Sequence, residues 1–404
     1  MEKTSTGKQI WDDIKSGYHF IFIKDMPLWV AGIGLGVLAI LIFLWRYPWG
    51  ISSGYGNWGN QLYYYLGLGK LAGLDKAPPA PWIHPVSLMN IGMVLGATGA
   101  SMMKGQFSTY RAPTREYVKG FIGGALMGIG SSFANGCIEG GFYTAVGIFS
   151  AGGFMMMIGL ALGSILGVKY LIWEMLNWPV KIPAQKPLDC KKTPLIDWCK
   201  VYPYIGGAIY ILFCLSFYLY AHFDQTVLGG MAFWGLWVGF FMQRSRFCLQ
   251  RTFRNPFMTG DYEMVKAVIL SLIIYSAGSA VIKWGFFQPD THGIDHRFWM
   301  GSLIGGFIFG LGMVIAGACA SSSLWRAGEG NTKIWVAIIG FITVYPAVKY
   351  LVANTALGPF LGKGIYVVDV LTWTWTPVFY MAFFLVWYLL AVYNARTEKF
   401  VISF

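Results

Sequence analysis

Long apolar runs alternate with short polar stretches along almost the whole chain of 404 residues. Many runs reach the roughly 18 residues that a helix needs to cross the hydrocarbon core of a bilayer. The pattern therefore predicts an all-α polytopic membrane protein with about ten transmembrane helices. The predicted spans are residues 28–46, 86–103, 118–136, 153–174, 203–221, 226–243, 262–284, 297–317, 333–352 and 376–395.

The less apolar stretches predict how the chain is organised around these spans. Residues 1–27 mix lysines with aromatic and aliphatic residues, which is typical of an amphipathic segment at the membrane surface. The membrane part is predicted to form two halves, 28–202 and 203–395, followed by a tail over 396–404. Within the first half, we predict that residues 50–80 form a surface loop with a short interfacial helix.

A sequence repeat relates the two halves. The stretch from Ile122 to Cys137, IGGALMGIGSSFANGC, returns 182 positions later from Ile304 to Cys319 as IGGFIFGLGMVIAGAC, with seven of sixteen residues identical. The two copies fall in the third and eighth predicted spans, and spans an odd number apart cross the membrane in opposite directions. The repeat is therefore predicted to be inverted, an arrangement common in secondary transporters.

Composition and charge placement support a membrane protein. The chain is 56% hydrophobic and only 12% charged, unlike a soluble globular domain. A net charge of +12 could indicate a nucleic-acid partner, but the basic residues gather in alternate loops, with 19 on one predicted side. The positive-inside rule then predicts that both termini are cytoplasmic, and nucleic acid is not a predicted partner.

Both copies of the repeat end in a cysteine, Cys137 and Cys319. The stretch that follows each one is too short to span, and we predict a re-entrant half-helix that begins just after each cysteine. The N-terminus of such a helix presents unpaired N–H groups and a partial positive charge, which favour an anion. Close helix packing is the alternative explanation of the repeat; it accounts for the glycines but not for the cysteines.

A third cysteine, Cys248, lies among arginines in QRSRFCLQRTFRNP, just after an apolar run. An ordinary basic loop is the alternative interpretation. We match this segment to residues 102–117 of the first half, which are also basic but hold no cysteine. Because charged groups at membrane depth are costly, those near the cysteines are candidates for function. The predicted substrate-binding residues are Cys137, Cys248, Cys319, Asn135, Glu139, Arg244, Arg254, Arg326 and Glu329.

Other kinds of chemistry find little support in the sequence. Arg326 and Glu329 could simply pair with each other in a surface salt bridge. The six cysteines form no CxxC pair and there are only five histidines, which argues against a structural zinc or a disulfide framework. Without a nucleotide-binding motif or a catalytic triad pattern, we predict neither an enzyme nor ATP-driven transport, and no cofactor or metal. Cys214 is interpreted as a small apolar residue, and Cys190 and Cys199 as incidental.

Three segments resemble the YeeE/YedE family of sulphur-transport membrane proteins. They are the segment ending NGC at Cys137, RSRFC with the following TFR around Cys248, and GMVIAGAC continuing to LWRAGEG after Cys319. The resemblance implies a helical protein of the bacterial inner membrane, with an inverted repeat and short helices dipping toward its centre. It also implies thiosulfate uptake along a route lined by the three cysteines. The length and the arginine-rich second segment are more similar to the YedE branch, which is associated with selenium metabolism.

The predicted function is import of thiosulfate or a related sulfur-containing anion past neutral thiols. Transport of a selenium compound is one alternative, and a membrane sulfur-transferase or redox subunit that uses the same cysteines covalently is another. The resemblance also implies a small cytoplasmic sulfur-carrier protein as a candidate partner. The basic loop over 175–202 is a candidate docking surface for it, although an ordinary positive-inside loop explains the same charges.

Overall fold

The computed structural model describes residues 6–109, 111–178, 192–193, 196–285, 287, 289 and 291–402. Cys190 and most of the candidate docking loop 175–202 lie outside these residues. The α-helices are α1 (Thr6–Tyr18), α2 (Leu28–Trp45), α3 (Ser52–Tyr65), α4 (Pro85–Met103), α5 (Thr114–Ala134), α6 (Ala145–Gly147), α7 (Gly152–Asn177), α8 (Trp198–His222), α9 (Thr226–Ser245), α10 (Leu249–Met258), α11 (Glu263–Trp284), α12 (Met300–Ala316), α13 (Ala320–Gly328), α14 (Thr332–Asn354), α15 (Leu357–Leu361) and α16 (Val367–Thr397). The remaining elements are π-helical segments over His19–Ile23 and Ile138–Thr144, a 3-10 turn over Gly69–Ala72, and the strands β1 (Lys192–Thr193) and β2 (Ile196–Asp197), which pair antiparallel.

The ten predicted spans are confirmed, because each coincides with one long helix to within a few residues at most ends. In the described part of the chain, nine helices are long and apolar enough to cross a membrane. The number is ten when α5 is counted together with the helical segment that follows it at a bend of 44°. The protein is therefore a multi-pass helical membrane protein.

The repeat helices α5 and α12 pack against each other antiparallel, through four glycines that we call the glycine seam: Gly123, Gly130, Gly305 and Gly312. A Cβ atom added to Gly305 would lie 2.5 Å from the carbonyl oxygen of Gly130. A Cβ atom added to Gly312 would lie 2.7 Å from the carbonyl oxygen of Gly123. Gly123 is the repeat equivalent of Gly305, and Gly130 of Gly312, so each contact is the image of the other. This exchange indicates a two-fold axis between α5 and α12 and supports the inverted repeat.

The two-fold axis also relates glycine contacts of the neighbouring helices in the two halves. Gly340 of α14 packs on the carbonyl of Phe121, and Gly159 of α7 packs on the carbonyl of Leu303, so α7 corresponds to α14. In the same way, glycines of α2 pack on carbonyls of α11, and glycines of α9 pack on carbonyls of α4. The contacts therefore match α2 with α9 and α4 with α11, as well as α5 with α12.

This correspondence corrects the match that the sequence suggested for the Cys248 segment. Since α2 corresponds to α9, the first-half counterpart of that segment is the chain between α2 and α3, not residues 102–117. Cys248 is the N-cap residue of α10, and Ile51 is the N-cap residue of α3. Shared basic character misled the sequence comparison, because both stretches leave the bundle on the same side.

The prediction of a surface loop over residues 50–80 is wrong for α3. Gly54, Tyr55 and Gly56 are buried, and Gly56 packs on the ring of Tyr345. Helix α3 is too polar to be recognised as a core element, but tertiary contacts satisfy its polar groups. The Asn57 side chain, for example, donates to the carbonyl of Pro79 at 2.8 Å.

Candidate functional site

Each of the three candidate cysteines begins a short helix where a long helix breaks. Cys137 precedes the π-helical segment Ile138–Thr144, Cys248 precedes α10, and Cys319 precedes α13. Short helices that begin just after Cys137 and Cys319 were predicted, and the structure confirms both starts. All three thiols are buried, with at most 3% of each residue exposed.

The three breaks share one backbone geometry. The residue two positions before each cysteine has a left-handed conformation, with φ of 58° at Asn135, 58° at Arg246 and 82° at Gly317. A residue in this conformation ends a helix and turns the chain. The cysteine that follows is extended and leaves the first N–H groups of the short helix without helical partners.

Each thiol lies beside the side chain two positions further along the chain, a regularity that sequence analysis did not detect. The pairs are Cys137 Sγ with Glu139 Oε2 at 3.9 Å, Cys248 Sγ with Gln250 Oε1 at 3.9 Å, and Cys319 Sγ with Ser321 Oγ at 3.4 Å. The three cysteine sites are therefore built alike, and they differ in the polar group that faces the thiol.

Cys248 and Cys319 lie next to each other, although 71 positions separate them in the sequence, and their side chains interact directly. The charges of Arg326 and Arg254 also act on Cys248. The structure thus brings together four of the predicted site residues. In the matching place of the first half, the backbone of Ile51 interacts with Cys137.

Tyr55 connects the Cys137 site with the Cys319 site. Sequence analysis missed it because it lies in α3. Its hydroxyl donates to the carbonyl of Ala320 at 2.9 Å, directly after Cys319. The same side chain interacts electrostatically with both Cys137 and Cys319 and is 1% exposed. The two sites are therefore neighbours in the protein core.

A polar cavity of about 660 Å³ opens from one face of the bundle toward Cys137. We call it the vestibule; Gly136, Gly140 and Thr144, which flank Cys137 and Glu139, line its inner end. Asn135 also lines the vestibule, and its side chain donates to the carbonyl of Asp295 at 3.0 Å. The vestibule therefore reaches the neighbours of Cys137 and Glu139, while these two residues themselves are buried behind its wall.

The opposite face carries a cluster of charged residues around Trp325. Arg246 pairs with Glu329 at 2.7 Å, and Gln243 donates to the same carboxylate at 2.9 Å. The guanidinium groups of Arg246 and Arg326 lie 5.6 and 5.7 Å from the centre of the Trp325 ring. The alternative pairing of Arg326 with Glu329 is not what the structure shows, since Arg326 donates to the carbonyl of Gly317 instead.

The hydrogen bonds of Arg254 and Arg244 are made to groups other than the cysteines. Arg254 donates to Asn255 Oδ1 at 3.0 and 3.2 Å. Arg244 is 1% exposed and donates to the backbone carbonyls of Ile21 and Lys24. Arg244 therefore fastens the chain before α2 to the end of α9.

We expect Arg244→Ala to release the N-terminal segment, because two backbone carbonyls lose the charged donor that holds them. Limited trypsin digestion after Lys15 and Lys24 should become several-fold faster, as expected for a loss of about 1–3 kcal/mol of local stability. Arg254→Ala is the matched control, since the hydrogen bonds of Arg254 among the described residues go to Asn255, and it should leave the rate unchanged. Equal cleavage rates in Arg244→Ala and wild type would show that other contacts hold the segment.

Sequence comparison decides the family. The profile described as Sulphur transport matches residues 5–166 and 244–403, which is most of the chain and includes all three cysteine sites. The chain belongs to the sulphur transport family. The resemblance to YeeE/YedE proteins is thereby confirmed.

Relatives within the sulphur transport family are named as transporters. The chain is 26% identical to the probable transporter YedE of Escherichia coli strain K12 over 345 residues, which is 82% of each protein. It is 37% identical to the thiosulfate transporter TsuA of the same strain over 111 residues, 27% of this chain and 31% of TsuA. The thiosulfate transporter TsuA of Spirochaeta thermophila is also 37% identical, over 117 residues. Similarity to the YedE protein therefore extends along the chain, whereas similarity to the thiosulfate transporters is local.

Proposed function

We propose that the protein imports thiosulfate, or a closely related sulfur-containing anion, past Cys137 and then past the Cys248–Cys319 pair. The observation that carries the proposal is the repeated arrangement of a buried thiol at the N-terminus of a short helix. Two such sites lie side by side in the core, and one of them lies next to the vestibule.

The chemistry of these sites suits a large, soft anion. The N–H groups that face each thiol and the partial positive charge at a helix N-terminus attract the negative charge. A neutral thiol is a weak donor and a polarizable acceptor, which suits the terminal sulfur of thiosulfate. Passage through a series of sites requires that each one bind weakly enough to release the ion.

The orientation in the membrane follows from the distribution of positive charge. Arginines gather on the face opposite the vestibule, and the positive-inside rule places such a face in the cytoplasm. The vestibule then opens to the outside, and both termini lie in the cytoplasm of a bacterium whose inner membrane holds the protein. The transported anion reaches the cytoplasm beside Arg246 and Arg326, where a small sulfur-carrier protein could receive it. In this proposal the protein is a transporter and not an enzyme.

One observation favours a second candidate function, covalent sulfur transfer. Cys248 and Cys319 are close enough for their side chains to interact. A thiolate at either position could attack the terminal sulfur of thiosulfate, forming a cysteine persulfide and releasing sulfite as the S–S bond breaks. This reaction keeps the number of electrons unchanged and needs no separate oxidant.

Growth and mass measurements together test both functions. A bacterium unable to take up sulfate should grow on thiosulfate as sole sulfur source only when it produces this protein, and failure to grow with the protein in the membrane would contradict thiosulfate import.

Excess selenate or selenite should leave thiosulfate uptake unchanged; competition would favour a selenium compound. After incubation with thiosulfate, the purified protein should keep its mass, whereas a gain of one sulfur atom at Cys248 or Cys319 would favour the covalent function.

A further inference from the structure

Glu139 is a buried carboxyl group beside Cys137, and the transport path proposed above gives it no role. The residue is 0% exposed. None of the ion pairs among the described residues includes it. Two other glutamates that are largely buried are paired with cations, Glu174 with Arg115 at 2.7 Å and Glu329 with Arg246 at 2.7 Å. An ionised carboxylate without such a partner is costly at membrane depth.

Among the described residues, the groups that face Glu139 from the surrounding elements supply no positive charge. The titratable side chains that interact with it are Cys137, Tyr143 of its own segment and Tyr275 of α11. From the chain before α3, it meets only the backbone of Ile51. All of these side chains are neutral acids, so they do not compensate a negative charge on Glu139.

The hydrogen-bond geometry fits a carboxyl group that carries a proton. The Thr144 hydroxyl donates to the carbonyl of Trp49 at 2.6 Å, and a hydroxyl has a single hydrogen to donate. The same hydroxyl lies 3.5 Å from Glu139 Oε1, and it can donate to that oxygen only by leaving its shorter bond to Trp49. The thiol of Cys137 donates to the other carboxyl oxygen at 3.9 Å, so both side-chain donors are too distant to stabilise an ionised carboxylate strongly.

A proton can reach this carboxyl group from the vestibule, because Thr144 and Gly140 line that cavity. The equivalent positions at the other two cysteines hold Gln250 and Ser321, which do not titrate. Among the three cysteine sites, only the one next to the vestibule has a carboxyl group two positions after its cysteine.

We propose that Glu139 binds and releases a proton during transport, so that a proton crosses the membrane with the sulfur anion. The proposal rests on the function proposed above. Glu139 takes a proton from vestibule water and becomes neutral, so a dianion can occupy the site at Cys137 without meeting a second negative charge. When the anion has moved on to the Cys248–Cys319 pair, Glu139 loses that proton to water on the cytoplasmic side. The O–H bond of Glu139 is the only covalent bond that changes.

The sign of the expected pH dependence follows directly. A lower pH on the vestibule side increases the protonated fraction of Glu139 and therefore increases uptake, whereas thiosulfate stays a dianion throughout the neutral range. Burial lowers the pKa of His296, in the loop before α12, to about 4, so this histidine is neutral between pH 5 and 8 and does not account for such an effect. Burial also lowers the pKa of His84. His84 and His292 line the vestibule and are tested by substitution.

The test measures thiosulfate entry and proton entry together in vesicles that contain the purified protein and a pH-sensitive dye. With wild type, external thiosulfate should acidify the lumen, and an inward gradient of one pH unit should raise the initial rate of labelled thiosulfate entry by up to about tenfold. With Glu139→Gln, the ratio of rates with and without the gradient should fall to about one, and acidification should disappear. Glutamine keeps the size of the side chain and copies the neutral group at Gln250. Glu139→Asp, which keeps a carboxyl group, should keep a ratio well above one.

Matched controls separate the possible origins of a pH effect. Glu174→Gln removes a buried carboxylate far along the sequence from the cysteine sites, and its ratio of entry rates with and without the gradient should equal that of wild type. The same ratio is expected for His84→Gln and His292→Gln. If a histidine variant no longer responded to the pH gradient, while thiosulfate entry by Glu139→Gln was still faster with the gradient, the proposal would be overturned. Thiosulfate entry by wild type without acidification would overturn proton coupling alone. Vesicles that take up no thiosulfate would overturn the proposed function, and this inference with it.

Discussion

Cys319→Ala is expected to abolish growth on thiosulfate and to lower thiosulfate uptake by about 10- to 100-fold. The substitution removes a thiol that is 0% exposed and that interacts with both Cys248 and Ser322. Loss of a hydrogen-bonding group from a buried site costs about 1–3 kcal/mol, and each 1.4 kcal/mol corresponds to about tenfold in rate. Initial rates of labelled thiosulfate uptake, normalised to the amount of protein in the membrane, provide the measurement.

Two further variants make this prediction specific. Cys214→Ala changes an exposed cysteine of α8 and should transport at the wild-type rate. Cys319→Ser keeps a small donor and acceptor and should retain more uptake than the alanine variant if thiols only line the path. Full uptake by Cys319→Ala would remove this residue from the path, and complete loss in Cys319→Ser would favour covalent transfer.

Gly123→Ala is expected to lower the stability of the fold, although it adds only one methyl group. The new Cβ atom would lie 2.6 Å from both the carbonyl oxygen of Gly312 and the amide nitrogen of Ala316. Both neighbours are backbone atoms of α12, so the helices must move apart rather than a side chain turn away. Overpacking of a close-packed interior costs about 1–3 kcal/mol or more, and for a chain of this length 1–3 kcal/mol corresponds to a fall in Tm of roughly 1–4 °C.

Gly207→Ala is the matched control for the seam substitution. Gly207 lies in α8, and a Cβ atom added there meets nothing within 4 Å. Because alanine is the better helix former, Gly207→Ala should keep or slightly raise the Tm. Thermal unfolding of the detergent-solubilised proteins, followed by loss of monodisperse protein, compares the two variants. Equal Tm values would show that the seam is looser than its geometry indicates.

The sequence was sufficient to predict the ten spans, the repeat and the starts of two short helices. Apolar length alone determines whether a helix can cross a bilayer. The repeated glycines and cysteines, such as Gly123 with Gly305 and Cys137 with Cys319, identify equivalent positions whatever the packing. The choice of three cysteines as binding residues remains a prediction, and the structure adds that two of them are neighbours.

The remaining features depend on tertiary contacts that no local pattern encodes. Helix α3 has the composition of a surface segment, yet it carries Tyr55 to the place between the cysteine sites. The arginines near Cys248 are alike in sequence, but Arg244 contacts the N-terminal segment whereas Arg246 pairs with Glu329. Only the fold determines which of two nearby arginines turns toward the site.

The glycine seam has a consequence for how such a protein can arise. Because its contacts are exchanged by a two-fold axis in the plane of the membrane, two copies of one half-length chain, inserted in opposite orientations, could build the same frame as a dual-topology homodimer. Joining the copies in one chain frees each to diverge. In this protein the four seam glycines occupy two of the positions that are still identical between the copies, whereas Ile51 is the equivalent of Cys248 and Glu139 is the equivalent of Ser321. Fusion thus gives one symmetric frame two halves whose equivalent sites differ in chemistry, which a homodimer of identical subunits cannot have.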